Sequence, residues 1–266
     1  MLDVTNPRTL GRSICIITGA SRGFGRALAH EVSRWLQPGS VLLLVARSET
    51  LLQELKGELW SFIVDQQSAV HCVAADLTPS HDPGLLSIAL TLIPLFRFIP
   101  TFLSIFPAAS LGNLSNFATF TGIDEVNSYL SFNVSSALVL TAGILQAFPR
   151  VPLQQRSVVN VSSTFALRPL PSWVLYCTAK AAREMMFRVL AEEQPHVKVL
   201  SYSPGPMDTD MQRDILRLTG VKNHLLPCQE SAEKLVKLLL DDDFVSGTHL
   251  DFFKLKKLTS RDDTTM

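Results

Sequence analysis

Tyr176 and Lys180 stand four residues apart in a stretch that reads as a helix, so both side chains share one face. A free phenol loses its proton near pH 10 and is a poor acid–base catalyst at neutral pH. A neighbouring ammonium stabilises the phenolate and brings that value down. Ser163 lies thirteen residues before Tyr176, just past an apolar run. A hydroxyl there can hold a carbonyl oxygen while Tyr176 gives it a proton. Taken alone, a Tyr-x-x-x-Lys pair reads equally well as two unrelated helix residues.

A second group of residues supplies what the first lacks, a place for a hydride donor. Thr18-Gly19-Ala20-Ser21-Arg22-Gly23-Phe24-Gly25 joins an apolar run to the start of a helix. Glycines in such a turn allow a tight bend and let the backbone approach a pyrophosphate seated on the helix N-terminus. A plain strand–helix turn is the alternative. At the end of the next apolar run, where an NAD site wants an acidic residue, the chain has Ala46-Arg47. Arg47 and Arg22 suit a 2′-phosphate, which favours NADP(H). A solvated surface arginine is the competing reading of Arg47. Asp76-Leu77 closes the third run, where a carboxylate or backbone group can meet an adenine.

These residues need rigid elements to hold them. The pattern predicts strands over 13–18, 41–46 and 69–75, with helices over 26–36 and 49–64 between them. It resumes with a helix over 126–148, a strand over 157–161, a helix over 173–193 and a strand over 197–202. A helix over 231–240 and a strand over 247–253 complete it. Strand–helix alternation of this kind predicts an α/β fold, a Rossmann-type doubly wound parallel sheet with helices on both faces. No linker divides the chain, so one domain is expected over residues 8–253, with a flexible charged tail over 254–266. The stretch 85–111 is almost wholly apolar and long enough to span a bilayer. Arg97, Pro94, Pro100 and Pro107 interrupt it, and a helix over 85–95 followed by a buried strand over 101–105 is the expected reading.

Composition narrows the function further. The chain has 266 residues, and its 24 Lys and Arg balance 24 Asp and Glu, which argues against a nucleic-acid surface or a polybasic membrane anchor. A small molecule is the expected partner. Cys15, Cys72, Cys177 and Cys228 show no metal or disulfide spacing, so no metal site and a reducing compartment are expected. Residues 1–7 contain no apolar signal core, and a cytoplasmic location is the expectation.

Taken together, Thr18-Gly19-xxx-Gly23-x-Gly25, Asn133, Ser163, Tyr176-xxx-Lys180 and Pro204-Gly205 resemble the short-chain dehydrogenase/reductase family. The resemblance implies that Ser163 orients a carbonyl, that Tyr176 is the acid, and that Lys180 lowers its pKa and binds the nicotinamide ribose. It implies that Asn133 holds a water behind Lys180. Cofactor contacts are implied at Gly19, Ser21, Arg22, Gly23, Phe24, Gly25, Ala46, Arg47, Asp76, Leu77, Lys180, Met207 and Thr209. Substrate contacts are implied at Ser163, Thr164, Tyr176, Gly205 and Asp251. Within the family the chain looks most like the branch that reduces pterin side-chain ketones in tetrahydrobiopterin synthesis, on Trp173-x-x-Tyr176-Cys177, Pro204 to Met211 and Ser246 to Phe252. Asp251 matches that branch's pterin-anchoring aspartate; a surface aspartate after a strand is the plainer reading. A homodimer follows by the same analogy. One departure stands out. Phe106-Pro107-Ala108-Ala109 replaces the family's Asn-Asn-Ala-Gly. A broad-range NADPH carbonyl reductase, or an NADP(H)-binding relative without catalysis, are the readings it keeps open.

Overall fold

The computed structural model describes residues 9–63, 67–77, 99–120, 122–150 and 154–259. Its strands are β1 (Ser13–Thr18), β2 (Val41–Ala46), β3 (Ala69–Ala74), β4 (Thr101–Phe106), β5 (Gln155–Val161), β6 (Lys198–Ser203) and β7 (Thr248–Asp251). They form one seven-stranded sheet in the order β3-β2-β1-β4-β5-β6-β7. Every pairing is parallel. The winding direction reverses between β1 and β4, and the crevice beyond the carboxyl ends of those strands is where such sheets bind ligands.

The helices are α1 (Gly23–Trp35), α2 (Glu49–Ile63), α3 (Ile123–Ala147), α4 (Val174–Glu193), α5 (Asp210–Thr219), α6 (Cys228–Asp241) and α7 (Phe252–Thr259). They cover both faces of the sheet. Alternation along β1 divides the core: Cys15 and Ile17 pack with Phe24, Leu28 and Val32 of α1 and Leu235 of α6. Ile14 and Ile16 pack on the other side with Ile144 of α3 and Phe187 of α4. β1 and β2 are buried along their whole length. Unbroken apolar runs such as VLLLVA are what a strand covered on both faces requires.

Three local features differ from the sequence pattern. The final strand ends at Asp251, because the Asp251 carboxylate accepts the N–H groups of Phe253 at 3.0 Å and Lys254 at 3.3 Å. That cap starts α7, which occupies Phe252–Thr259 where a charged tail is expected. Helix α5 is absent from the sequence reading, although Thr209 before it and Gly220 at φ +71° just past its end are ordinary start and stop residues. Helix α3 is not uniform: residues Ser131–Ser135 form a π-turn centred on Asn133. The helix expected over 85–95 lies outside the described residues, while the strand that follows it is present as β4.

Candidate active site

Parallel strands deliver their carboxyl ends to one edge, and that edge gathers the chemistry. Ser163 follows β5, and the first turns of α4 carry Tyr176 and Lys180. Ser163 Oγ accepts the N–H of Phe165 at 3.2 Å, which fixes the short turn containing Thr164. The same hydroxyl lies near enough to the Tyr176 phenol to favour its ionised form. The Tyr176 ring stands edge-on to Trp173 with centroids 5.5 Å apart, so its direction is set by packing. Lys180 Nζ donates to the Val161 carbonyl at 2.9 Å and lies 5.7 Å from the Tyr176 ring centroid.

Burial pushes the Tyr176 phenol above its ordinary value, against the opposing pull of the nearby Ser163 hydroxyl and the Arg183 charge. Burial, helped by the nearby Arg183 charge, pushes the Lys180 ammonium well below its ordinary value. The Arg183 charge also favours the Tyr176 phenolate.

Asn133 is buried in the π-turn of α3. Its Oδ1 accepts the N–H of Ser110 at 2.8 Å, and its Nδ2 donates to Ser110 Oγ at 3.0 Å and to the Tyr129 carbonyl at 2.9 Å. The amide thus ties the loop after β4 at Ser110 to Tyr129, one turn earlier on α3.

The glycine turn is shaped for an anion. Gly19 and Gly23 have φ of +62° and +54°, a region side chains disfavour. A Cβ added at Gly25 would lie 2.2 Å from the Gly19 carbonyl oxygen, so α1 can start this close to β1 only with glycine there. Helix α1 has no acidic residue in its first turn and no side-chain cap, which leaves its first N–H groups directed at the crevice. Thr209 faces the turn from across the cleft, its Cγ2 3.2 Å from where a Gly23 Cβ would be. Arg47 is exposed beyond the buried Ala46, and among the described residues it makes no ion pair. Arg22 is held by Asp210 at 2.8 Å across the same opening. The turn and the helix N-terminus fit the pyrophosphate of a dinucleotide.

Not every implied contact is made by a side chain. The Phe24 ring is buried and stacks near Tyr202, with centroids 6.4 Å apart, so only its backbone can face a cofactor. Leu77 packs against the core and Met207 is buried in it. Asp76 is exposed at the end of the β3 segment. Gly205, at φ +81°, lies against Phe253, just beyond Asp251. Among the described residues no group of His, Cys, Asp and Glu could hold a metal ion.

With this geometry in hand, comparison with known proteins is decisive for the family. The short chain dehydrogenase family model matches residues 13–218. The chain belongs to the short-chain dehydrogenase family. It is an oxidoreductase, and the family uses nicotinamide dinucleotides. The sepiapterin reductase of Rattus norvegicus is 45% identical, covering 92% of this chain and 98% of that one. That of Xenopus tropicalis is 46% identical, covering 92% and 97%. The benzil reductase of Bacillus subtilis (strain 168) is 27% identical over 90% of this chain and 92% of that one. Among solved structures, a short chain dehydrogenase from Shigella flexneri 2a str. 301 complexed with NADP has TM-score 0.73 at 22% identity, covering 92% and 99%. These structures share the fold.

Against the family pattern, two neighbouring residues on α4 emerge that sequence reasoning passed over. Arg183 is 1% exposed and reaches the loop that departs from the family motif. Glu184 is also buried: its Oε2 accepts Ser162 Oγ at 2.8 Å, and His249 Nδ1 lies 2.9 Å away. His249 Nε2 in turn lies 2.8 Å from Ser203 Oγ. This chain of polar groups ties α4 to the ends of β5, β6 and β7. Helical spacing from Tyr176 and Lys180 could have flagged Arg183, since charged residues one turn on must be buried too.

Burial raises the Glu184 carboxyl, but hydrogen bonds from His249 and Ser162 and the His249 charge outweigh it and hold it below the ordinary 4.5. A depressed folded value means stabilisation that is present above the unfolded value and lost as pH falls through the folded one. Glu184→Gln is expected to lower unfolding stability at pH 7 by about 1–3 kcal/mol. In urea titrations the gap to the unaltered protein should narrow steadily as pH falls below the ordinary carboxylate value. A gap independent of pH would remove the charge from this account.

Proposed function

We propose that this short-chain dehydrogenase reduces the side-chain ketone of a pterin with NADPH, as a cytoplasmic homodimer. The observation that carries the reaction type is the Ser163 hydroxyl beside the Tyr176 phenol, with Lys180 beneath the same ring. The bound cofactor supplies the hydride. Ser163 Oγ holds the ketone oxygen and Tyr176 delivers its proton to that oxygen as the alcohol forms. Lys180 sits where it can bond a ribose hydroxyl and the backbone at once. Gly19, Gly23 and the open N-terminus of α1 would carry the pyrophosphate, with Arg47 and Arg22 at the 2′-phosphate.

The choice of pterin is supported by the sepiapterin reductases at 43–46% identity. Asp251 has one carboxylate oxygen occupied in capping α7, which leaves the other for an amino-pyrimidine edge. The dimer is supported by α3 and α4, which expose Leu138, Val139, Met185 and Val189. Helix α3 is long and apolar enough to cross a membrane, and an apolar face of this kind equally suits a second copy. Unpaired Cys15, Cys72, Cys177 and Cys228 agree with a reducing compartment.

The test is NADPH oxidation by purified protein with sepiapterin and, separately, with simple diketones. Preference for sepiapterin that disappears in Asp251→Asn is the expected result. Equal turnover of both substrate types would replace this reading by a broad-range carbonyl reductase.

A further inference from the structure

The loop after β4 has lost the side chains with which it could brace itself. Pro107 has no N–H, and Ala108 and Ala109 carry no polar group. Ala109 adopts no left-handed backbone; among described non-glycine residues only Gln67, Ser172 and Asp242 do. The loop is therefore unstrained there, but it must be held from outside. It also touches the cofactor turn. A Cβ on Gly19 would lie 3.1 Å from Ala108 Cα, and the Ala108 N–H points to Thr18 Oγ1 at 3.4 Å.

We propose that Arg183 is the positioning residue that fixes this loop against the glycine turn and thereby couples the catalytic helix to the cofactor site. Its Nη2 donates to the Phe106 carbonyl at 2.8 Å, its Nη1 to the Ala108 carbonyl at 3.0 Å and its Nε to Asn160 Oδ1 at 2.9 Å. Three acceptors from β4, its loop and β5 thus converge on one planar fork, a geometry lysine cannot reproduce. Tyr176, Lys180 and Arg183 follow i, i+4, i+7 spacing, so the fork rises from the same helix face as the acid. The opposite side of the loop is held by α3, where Asn133 bonds Ser110 and the Tyr129 hydroxyl donates to the Ser110 carbonyl at 3.0 Å.

Arg183 has a second consequence. None of its three bonds is to a carboxylate, and among the described residues it forms no ion pair. A buried guanidinium without a counter-ion is costly, and among the described residues the groups facing it that can become negative are phenols: Tyr129 from α3 and Tyr176 from its own helix. Burial lowers it to about 10, against the opposing pull of those phenols in their ionised form. The guanidinium stays charged at neutral pH and is a standing positive charge behind the acid.

The inference rests on the nicotinamide-dependent reading, and its test is separable from it. NADP⁺ binding by calorimetry, which needs no substrate, is measured for the full chain and for Arg183→Lys and Arg183→Met, alongside thermal unfolding. Both variants are expected to bind NADP⁺ about tenfold or more weakly. In kcat–pH profiles at saturating NADPH, Arg183→Met should move the alkaline decline upward by about one pH unit, because Tyr176 loses the cation that favours its phenolate. Arg183→Lys keeps the positive charge and loses only the fork, so it stands as the deciding variant if Arg183→Met does not fold. A folded Arg183→Lys protein with NADP⁺ affinity within twofold of the unaltered chain overturns the proposal. Normal NADP⁺ binding by the unaltered protein without ketone turnover would instead overturn the proposed reaction and leave the brace to be judged by binding alone.

Discussion

Tyr176→Phe is expected to lower kcat about 10²- to 10⁴-fold, the range over which a positioned general acid contributes. NADPH affinity and the unfolding temperature should stay close to those of the unaltered protein. The ring keeps its edge-on contact with Trp173, so the substitution removes one oxygen and little packing. The protonation state also favours this assignment. A ketone being reduced needs the proton on Tyr176, and burial raises the phenol, which keeps it loaded at neutral pH. The nearby Ser163 hydroxyl and the Arg183 charge oppose that rise. Rates of reduction should accordingly be flat near neutrality and decline as pH climbs toward the Tyr176 value. Stopped-flow NADPH oxidation under single-turnover conditions separates this loss from effects on product release. Tyr176→Phe with unimpaired single-turnover rates would mean that another group gives the proton, and the Ser163–Tyr176 pair would no longer carry the mechanism.

Much of the site was legible because its chemistry and its scaffold leave separate marks. Apolar runs such as VLLLVA announce strands buried on both faces, and a glycine cluster at the end of one announces a turn without side chains. Tyr176 and Lys180 follow the helical repeat, so their shared face needs no structure to predict. The relations that stayed hidden are those between distant segments. Nothing local in Ala108 says that its carbonyl meets a guanidinium 75 residues later. The π-turn at Asn133 is likewise invisible in a run of ordinary helix formers, because it depends on what the Asn133 amide binds after folding. Asp251 shows a different limit. One aspartate after a strand can anchor a ligand or cap a helix, and residues 254–259 read as charged tail until the cap is seen. The altered loop 106–109 looked like a threat to the cofactor site from its composition alone. Its backbone groups, held from two helices, show how the site can tolerate it.

Glycines give the second large effect, and two of them make a matched pair. At Gly25 an added methyl would sit 2.2 Å from the Gly19 carbonyl oxygen and 2.7 Å from its carbon. Neither atom belongs to a flexible side chain, so relief requires moving the start of α1 away from β1. Gly25→Ala is expected to cost about 1–3 kcal/mol, the usual range for overpacking. It should weaken NADPH binding more than tenfold, since the displaced backbone is the anion cradle itself. Gly57 lies within α2, exposed, with nothing inside 4 Å of an added Cβ. Alanine there gains helix propensity without meeting anything, so Gly57→Ala should raise stability by about 0.5–1 kcal/mol and leave NADPH binding unchanged. Urea unfolding and calorimetric titration of both variants test the pair together. Equal effects of the two substitutions on cofactor affinity would show that the turn tolerates side chains, and the close approach of α1 to β1 would then have no part in holding the dinucleotide. Opposite effects on stability, with binding lost only at Gly25, are what a pyrophosphate seated against bare backbone requires.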